Sequence, residues 1–387
     1  MGTCKTCQNE TKRFLDLGMQ PLANHLLIDL GHKDHEIKYP LTLSFCPVCF
    51  MVQVDHVVEP SIIFNQCYPY VTGTSSFMVD HFKEMSDLIK QIYVGEHGFV
   101  FEFGSNDGTL LSNFKNYHHL GIDPAGCEIG GLDIEVGFFD EQKAEEVFAN
   151  HGFANVIIST NAFPHIENRD SVLKGIKKLL HPDGFWINEE VYLGSVIDNG
   201  SYDQFYNEHI YTSSILSMRN TVARYGLELV RCKFQEVHGG SMRYFITHQE
   251  NAMSVTDWAL RLYGMISRER LWDYELLRTF ARKVSLSKQK FIDTLEKVNG
   301  PVVGYGATAK STTVLNYCNI GPDVIEKIYD TTPEKQGKFT PGMHIPIVSY
   351  DDFDKDKPKN VVLFAWNHSK EIFRKEMGKN INWIMPI

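Results

Sequence analysis

The sequence predicts an α/β fold with two separate strand, glycine-turn and helix units behind a small cysteine-stapled module, and three observations carry that prediction. The apolar run Phe99-Val100-Phe101-Glu102-Phe103 breaks into Gly104-Ser105-Asn106-Asp107-Gly108, after which Thr109-Leu110-Leu111 begins a helical pattern. About 200 residues later, Pro301-Val302-Val303-Gly304-Tyr305-Gly306-Ala307-Thr308-Ala309-Lys310-Ser311 repeats the same logic. Near the N-terminus, Cys4-Lys5-Thr6-Cys7 and Cys46-Pro47-Val48-Cys49 form two C-x-x-C knuckles. In an α/β unit the ligand sits beyond the carboxyl end of the strand, where glycines admit a close backbone approach and the helix N-terminus offers free N–H groups.

At 387 residues the chain has room for several domains with real cores. A formal charge of −10 argues against a nucleic-acid partner, because phosphate backbones require a basic face. No run of about 18 apolar residues is present and the N-terminus lacks the apolar core of a secretory signal, so a cytoplasmic protein without membrane partners is expected. The four knuckle cysteines suit a closed tetrahedral zinc site of structural type. Disulfides are the alternative, disfavoured in the cytosol. Cys67, Cys127, Cys232 and Cys318 read as buried apolar residues.

Taken in order, residues 1–75 form the metal-stapled module, with a strand at Tyr39–Phe45 and the aromatic, hydroxyl-rich cluster Tyr68-Pro69-Tyr70-Val71-Thr72 at its end. Residues 76–250 open with a helix over Met78–Ile89 and continue as alternating strands and helices, with strands at Ala154–Thr160, Gly184–Glu189, Leu227–Arg231 and Met242–Thr247. The segment between the last two is too short for a crossover helix, so they must pair antiparallel and close an otherwise parallel sheet. That ending belongs to the class I methyltransferase (Rossmann-like) fold rather than to a six-stranded dinucleotide fold. Residues 251–298 read as a charged helical bridge, and residues 299–387 as a second Rossmann-like α/β domain.

Asp123, 21 residues after Glu102 at the end of His119-Leu120-Gly121-Ile122, stands where an acid holds ribose hydroxyls, and Asp330 occupies the matching place after Ile325–Tyr329. Thr308, Lys310 and Ser311 reinforce a helix N-terminus suited to phosphate. Tyr206-Asn207-Glu208-His209 concentrates acid–base groups; on one helical turn Tyr206 and His209 share a face. His165, after the preceding strand, reaches the same edge, so both histidines can face one pocket.

The knuckles, Gly18-Met19-Gln20-Pro21-Leu22, Tyr68-Pro69-Tyr70, Glu102–Gly108, Phe138-Phe139, Tyr206–His209, His238-Gly239-Gly240 and Gly304–Ser311 follow one another in the order of the deoxysugar C-methyltransferases, which this chain resembles from the first knuckle nearly to its C-terminus. The resemblance implies transfer of a methyl group from S-adenosylmethionine to a carbon beside the ketone, C-3 foremost, of a nucleotide-diphospho-4-keto-6-deoxyhexose. The sequence leaves the oligomeric state open, with a monomer favoured. It implies His209 as base beside Tyr206 and Glu208. Asn161, His165, Tyr68 and Tyr70 would position the sugar and stabilise the enolate. Glu102, Gly104, Asn106, Asp107 and Asp123 would hold the donor, with Phe139 against the adenine. Gly304, Tyr305, Gly306, Ala307, Thr308, Lys310, Ser311 and Asp330 would hold the substrate nucleotide. Departures from the family's pattern are Ser105, where several relatives carry cysteine, and Asn188-Glu189-Glu190-Val191-Tyr192. Sugar O-methylation, oxidoreduction with NAD at the second glycine turn, and a non-enzymatic zinc-ribbon module remain as alternatives.

Overall fold

The computed structural model of the protein describes residues 2–31, 33–64, 71–92, 94, 98–126, 130–251 and 256–387. Three sheets organise it. The first is antiparallel and five-stranded, in the order Gly2–Thr3, Glu10–Pro21, Lys38–Phe45, Val52–Val54, Tyr211–Thr212. Its knuckles lie at the two tight connections and match each other: Gln8 N donates to Cys4 O and Phe50 N to Cys46 O, both at 2.9 Å. Gln8 and Phe50, just past each knuckle, take left-handed φ of 62° and 63° to close the loops. The fifth strand comes from far along the chain, immediately after His209.

The second sheet has seven strands, ordered Leu227–Gln235, Ser241–His248, Leu180–Val191, Ala154–Thr160, Phe99–Phe103, His118–Asp123, Ile134–Val136. Ser241–His248 runs antiparallel to both its neighbours, and the remaining pairings are parallel, as the short Val237–Gly240 connection requires. Phe99–Phe103 is buried throughout, because helices cover both faces of the sheet. On one side packs Ser76–Ile92, through Met78, Phe82, Met85 and Ile89. On the other pack Glu141–His151 and Arg169–Leu179, each with a side-chain N-cap, Asp140 and Asn168.

The helix expected from Thr109 does not form. Asp107 Oδ1 accepts from both the backbone N and the hydroxyl of Thr109, at 3.1 and 2.6 Å, which holds the chain in a turn, and a single 3₁₀ turn at Leu111–Phe114 follows. The charged stretch after residue 255 forms two helices, Thr256–Glu269 and Tyr274–Glu296. The second is more than a spacer, since Leu277, Phe280, Val284, Phe291 and Leu295 form a buried stripe and the Tyr274 hydroxyl donates to Arg13 O at 2.6 Å.

The third sheet is parallel and five-stranded, ordered Ile347–Ser349, Ile328–Asp330, Val302–Tyr305, Asn360–Leu363, Asn382–Ile384. From its centre Ala309–Cys318 runs against the other two modules: the Thr312 hydroxyl donates to Ala23 O at 2.9 Å and that of Thr313 to Phe205 O at 3.1 Å.

Candidate active site

Cys4, Cys7, Cys46 and Cys49 are buried, and their sulfurs lie within 4.8 Å of one another, with closest pairs at 3.5 and 3.4 Å. A zinc ion with Zn–S bonds of about 2.3 Å would set sulfur–sulfur edges of roughly 3.8 Å, so the donor set fits and leaves no open coordination position. The site is structural in kind. Val52–Val54, which follows the second knuckle, pairs with Tyr211–Thr212, and Val54 N donates to Ile210 O at 2.9 Å. The staple therefore lies next to the strand that leaves His209.

At the first glycine turn, Gly104 has φ +69°, and a Cβ there would sit 2.2 Å from that of Ala162. Asp123 accepts from Asn106 N through one oxygen and from Ala125 N through the other, both at 2.8 Å. Asn106 and Asp107 in turn hold an overlying segment: Thr72 N and its hydroxyl donate to Asn106 Oδ1, and Gly73 N donates to Asp107 Oδ2. Glu102 is buried with Oε2 unpartnered; burial pushes its carboxyl well above the usual range, and Asp123 and Asp107 push it further. The turn is thus an acidic cup suited to a cation. Phe139 is not part of it. Its ring packs in the core on Phe103 and Phe101, with both centroids 5.0 Å away, whereas the neighbouring Phe138 is exposed.

Tyr206 and His209 are brought together by a turn instead of a helix, closed by His209 N donating to Tyr206 O at 2.9 Å. The His209 Nδ1–H donates to Gln204 O at 2.8 Å, which leaves Nε2 as the acceptor for the Tyr206 hydroxyl at 2.7 Å. Burial, aided by His165, lowers the His209 pKa well below the ordinary value, so the ring is neutral with a basic nitrogen. His165 lies 5.0 Å from it, centroid to centroid, with Nδ1 2.6 Å from Glu208 O, and burial lowers its pKa to about 4. The structure thus brings the two histidine rings side by side. Glu208 accepts from Asn24 Nδ2 at both oxygens, at 3.1 and 2.9 Å. Asn161 takes a left-handed φ of 50° at the end of its strand, its N–H donating to Glu189 O at 2.7 Å. Tyr68 and Tyr70 lie outside the described residues; Phe64, just before them, packs edge-on against His165 at 5.1 Å.

The second glycine turn precedes the helix Ala309–Cys318, which reaches the His209 segment through the Thr313 bond to Phe205 O. Gly306 has φ +89°, and Thr308 caps Ala309–Cys318 by accepting from Ser311 N. Asp330 accepts from Ala307 N and Thr332 N at 2.7 and 2.8 Å. Lys310 donates to Asn367 Oδ1 at 3.2 Å and lies 5.5 Å over the Trp366 ring, whose N–H donates to Asp203 at 2.6 Å. Burial lowers the Lys310 pKa, and its charge in turn disfavours protonation of His209 and His238. Tyr305 points away: its ring is buried among Tyr350, Phe353 and Trp383, and its hydroxyl donates to Glu376 at 3.1 Å.

Three family models cover nearly the whole chain: a zinc binding domain over residues 4–64, a methyltransferase domain over 74–231 and a C-methyltransferase C-terminal domain over 236–387. The C-methyltransferase NovU of Streptomyces niveus is 31% identical over 406 residues, spanning 99% of this chain and 95% of the relative. The chain belongs to this C-methyltransferase family. Weaker likenesses to solved structures bear no weight beyond that: a SAM-dependent methyltransferase of Anabaena variabilis ATCC 29413 at 16% identity (48% of this chain, 87% of that one, TM-score 0.32), and the magnesium protoporphyrin IX methyltransferase of Synechocystis PCC 6803 at 14% (44% and 83%, TM-score 0.31).

This C-methyltransferase is thus an S-adenosylmethionine-dependent enzyme of class I fold with a structural zinc site. Its C-terminal unit, where NAD-linked oxidoreduction was open, falls within the C-methyltransferase match. Among the described residues no helix is long and apolar enough to cross a membrane. Sequence reasoning missed Asn24, Asp203, Gln204 and Trp366. Asn24 stands two residues past Gly18–Leu22, a stretch whose motif character is visible, and Asp203 and Gln204 lie in the polar run that leads into Tyr206–His209; Trp366 carries no local signal.

Proposed function

We propose that this C-methyltransferase removes a proton from the carbon beside the ketone, C-3 foremost, of a nucleotide-diphospho-4-keto-6-deoxyhexose and methylates the resulting enolate. The observation that carries the reading is the tautomer of His209. With Nδ1–H committed to Gln204 O, Nε2 is the basic nitrogen of a neutral ring, and the Tyr206 hydroxyl that occupies it in the free protein gives way to the acceptor. Asn24 holds the neighbouring Glu208 in place. His165 and Asn161 border the same space and, with Tyr68 and Tyr70, position the sugar. The bound donor supplies an electrophilic methyl group; the acidic cup of Glu102, Asp107 and Asp123 fits its positive charge. Lys310 and the capped helix behind it fit the diphosphate, with a monomer as the working unit.

The test is hydrogen exchange into the acceptor in deuterated buffer without donor. Wild type should exchange the hydrogen beside the ketone, and His209→Asn should slow this by roughly 100- to 10,000-fold. The sign with pH follows from burial: the neutral ring is the active form, so the rate should hold steady down through pH ~6.5 and fall only once His209 gains a proton. Methylation without any exchange in wild type would favour O-methylation.

A further inference from the structure

His238 has no part in the reading above, yet the fold presents it with care. Because Ser241–His248 runs antiparallel, the turn before it, Val237–Gly240, lies at the carboxyl edge of the parallel strands, the ligand edge. His238 itself takes a left-handed φ of 53°. Gly239, at φ +86°, has no room for a Cβ, which would meet the Trp366 ring at 2.4 Å, and Gly240, at φ +115°, would meet Ser195 at 2.3 Å. Gln204 joins this turn to the base: its backbone O accepts from His209 Nδ1, while its side-chain amide donates to His238 O. Held this way, the His238 Nε2 atom is buried with no hydrogen-bond partner. Leaving a polar atom so is costly unless a ligand completes it. Lys310 is the strongest charge acting on the ring, and the next, Glu189, is paired with Arg243 and His81; Asp203, the acid that acts on Lys310, is bonded to Trp366. With both carboxylates partnered, the surroundings suit an oxygen that carries or gains negative charge.

We propose that His238, in its Nε2–H form, donates a hydrogen bond to an anionic oxygen of the acceptor, which is either the enolate oxygen formed in the reaction or a diphosphate oxygen. This rests on the acceptor chemistry proposed above. Burial and Lys310 lower the His238 pKa to about 3, so the ring acts as a neutral donor and not as a cation.

The experiment uses the full-length protein, a nucleotide-linked 4-keto-6-deoxyhexose, His238→Asn and His238→Gln. Asparagine tolerates the left-handed backbone but is too short to reach, whereas glutamine can restore a donor near the Nε2 position. Thermal midpoint and S-adenosylmethionine affinity should match wild type in both. If the oxygen is the enolate's, exchange at saturating acceptor falls roughly 100-fold in His238→Asn and recovers in part in His238→Gln. If it is a phosphate's, exchange at saturation holds while the acceptor Kd rises roughly tenfold. Unchanged exchange and unchanged Kd in His238→Asn would overturn the proposal. Absence of exchange in wild type would instead overturn the enolate reading, and the enolate role of His238 with it.

Discussion

The two glycine turns share one frame and differ in charge. In each, a strand ends, the backbone takes positive φ at a glycine, and the acid ending the next strand accepts from a turn N–H and from the N–H two residues beyond itself: Asp123 from Asn106 and Ala125, Asp330 from Ala307 and Thr332. What surrounds the frame is opposite. Glu102 and Asp107 crowd the first turn, while the partly buried Lys310 and the N-terminus of Ala309–Cys318 stand at the second. The shared acid is thus partly architectural, and the charge beside it carries the specificity. A sulfonium and ammonium donor matches the first turn, and a diphosphate the second.

The largest effects should come from distorting the backbone of each turn. Gly104→Ala and Gly306→Ala each force a Cβ into left-handed backbone, 2.2 Å from Ala162 Cβ and 2.8 Å from Ala365 Cβ. Strain and overpacking of a few kcal/mol correspond to roughly 30-fold losses or more. Calorimetry on folded variants should find donor affinity lost in Gly104→Ala alone, and acceptor affinity lost in Gly306→Ala alone. The reverse pattern would exchange the two assignments. Next in size is Lys310→Met, for which steady-state kinetics should return an acceptor KM roughly 10- to 100-fold higher with the donor KM unmoved.

A proton count sharpens the same contrast. In the free protein burial keeps the Glu102 pKa raised, and a cation placed beside it would lower it. Donor binding should therefore release a proton, and affinity should rise with pH, by up to about tenfold per unit, over the range between an ordinary carboxylate pKa and that of Glu102. Titration calorimetry in buffers of different ionisation enthalpy measures the release directly. Glu102→Gln should abolish it, and proton uptake in wild type would contradict the assignment of the cationic ligand to this turn.

Much of this frame is legible in the sequence because it is local. The strand at Ala154–Thr160 is observed with the expected limits, the two knuckles converge, and the short link after Gln235 fixes the antiparallel ending. The helix at Thr109 was misread because a side-chain bond from Asp107 competes with the backbone pattern. Phe138 and Phe139 share one aromatic signal, and only the path of the chain between Val136 and Asp140 decides which ring turns inward. Other contacts have no local trace at all. Asn24 meets Glu208 across 184 positions, and Tyr211–Thr212 completes a sheet begun at residue 2. Such pairings arise only when the modules fold onto one another.

The smallest expected effects test whether the shared acids are architecture or recognition. Asp123 and Asp330 each satisfy two backbone donors, so Asn at either position leaves one N–H facing an amide instead of a carboxylate oxygen. Both substitutions should therefore lower stability, by about 1–3 kcal/mol, seen as a shift in denaturation midpoint. The larger loss should be at Asp330, which also pairs with Lys335 at 3.7 Å, whereas Asp123 is buried beside Asp107. Each oxygen keeps a second lone pair, and there the two positions can part. If Asp123 also accepts from the donor's ribose, Asp123→Asn should weaken S-adenosylmethionine binding several-fold beyond the stability change, and Asp330→Asn should leave it untouched. Equal donor affinity in both variants would reduce Asp123 to a turn-closing group. The charge around the first turn, rather than the acid common to both, would then account for its choice of ligand.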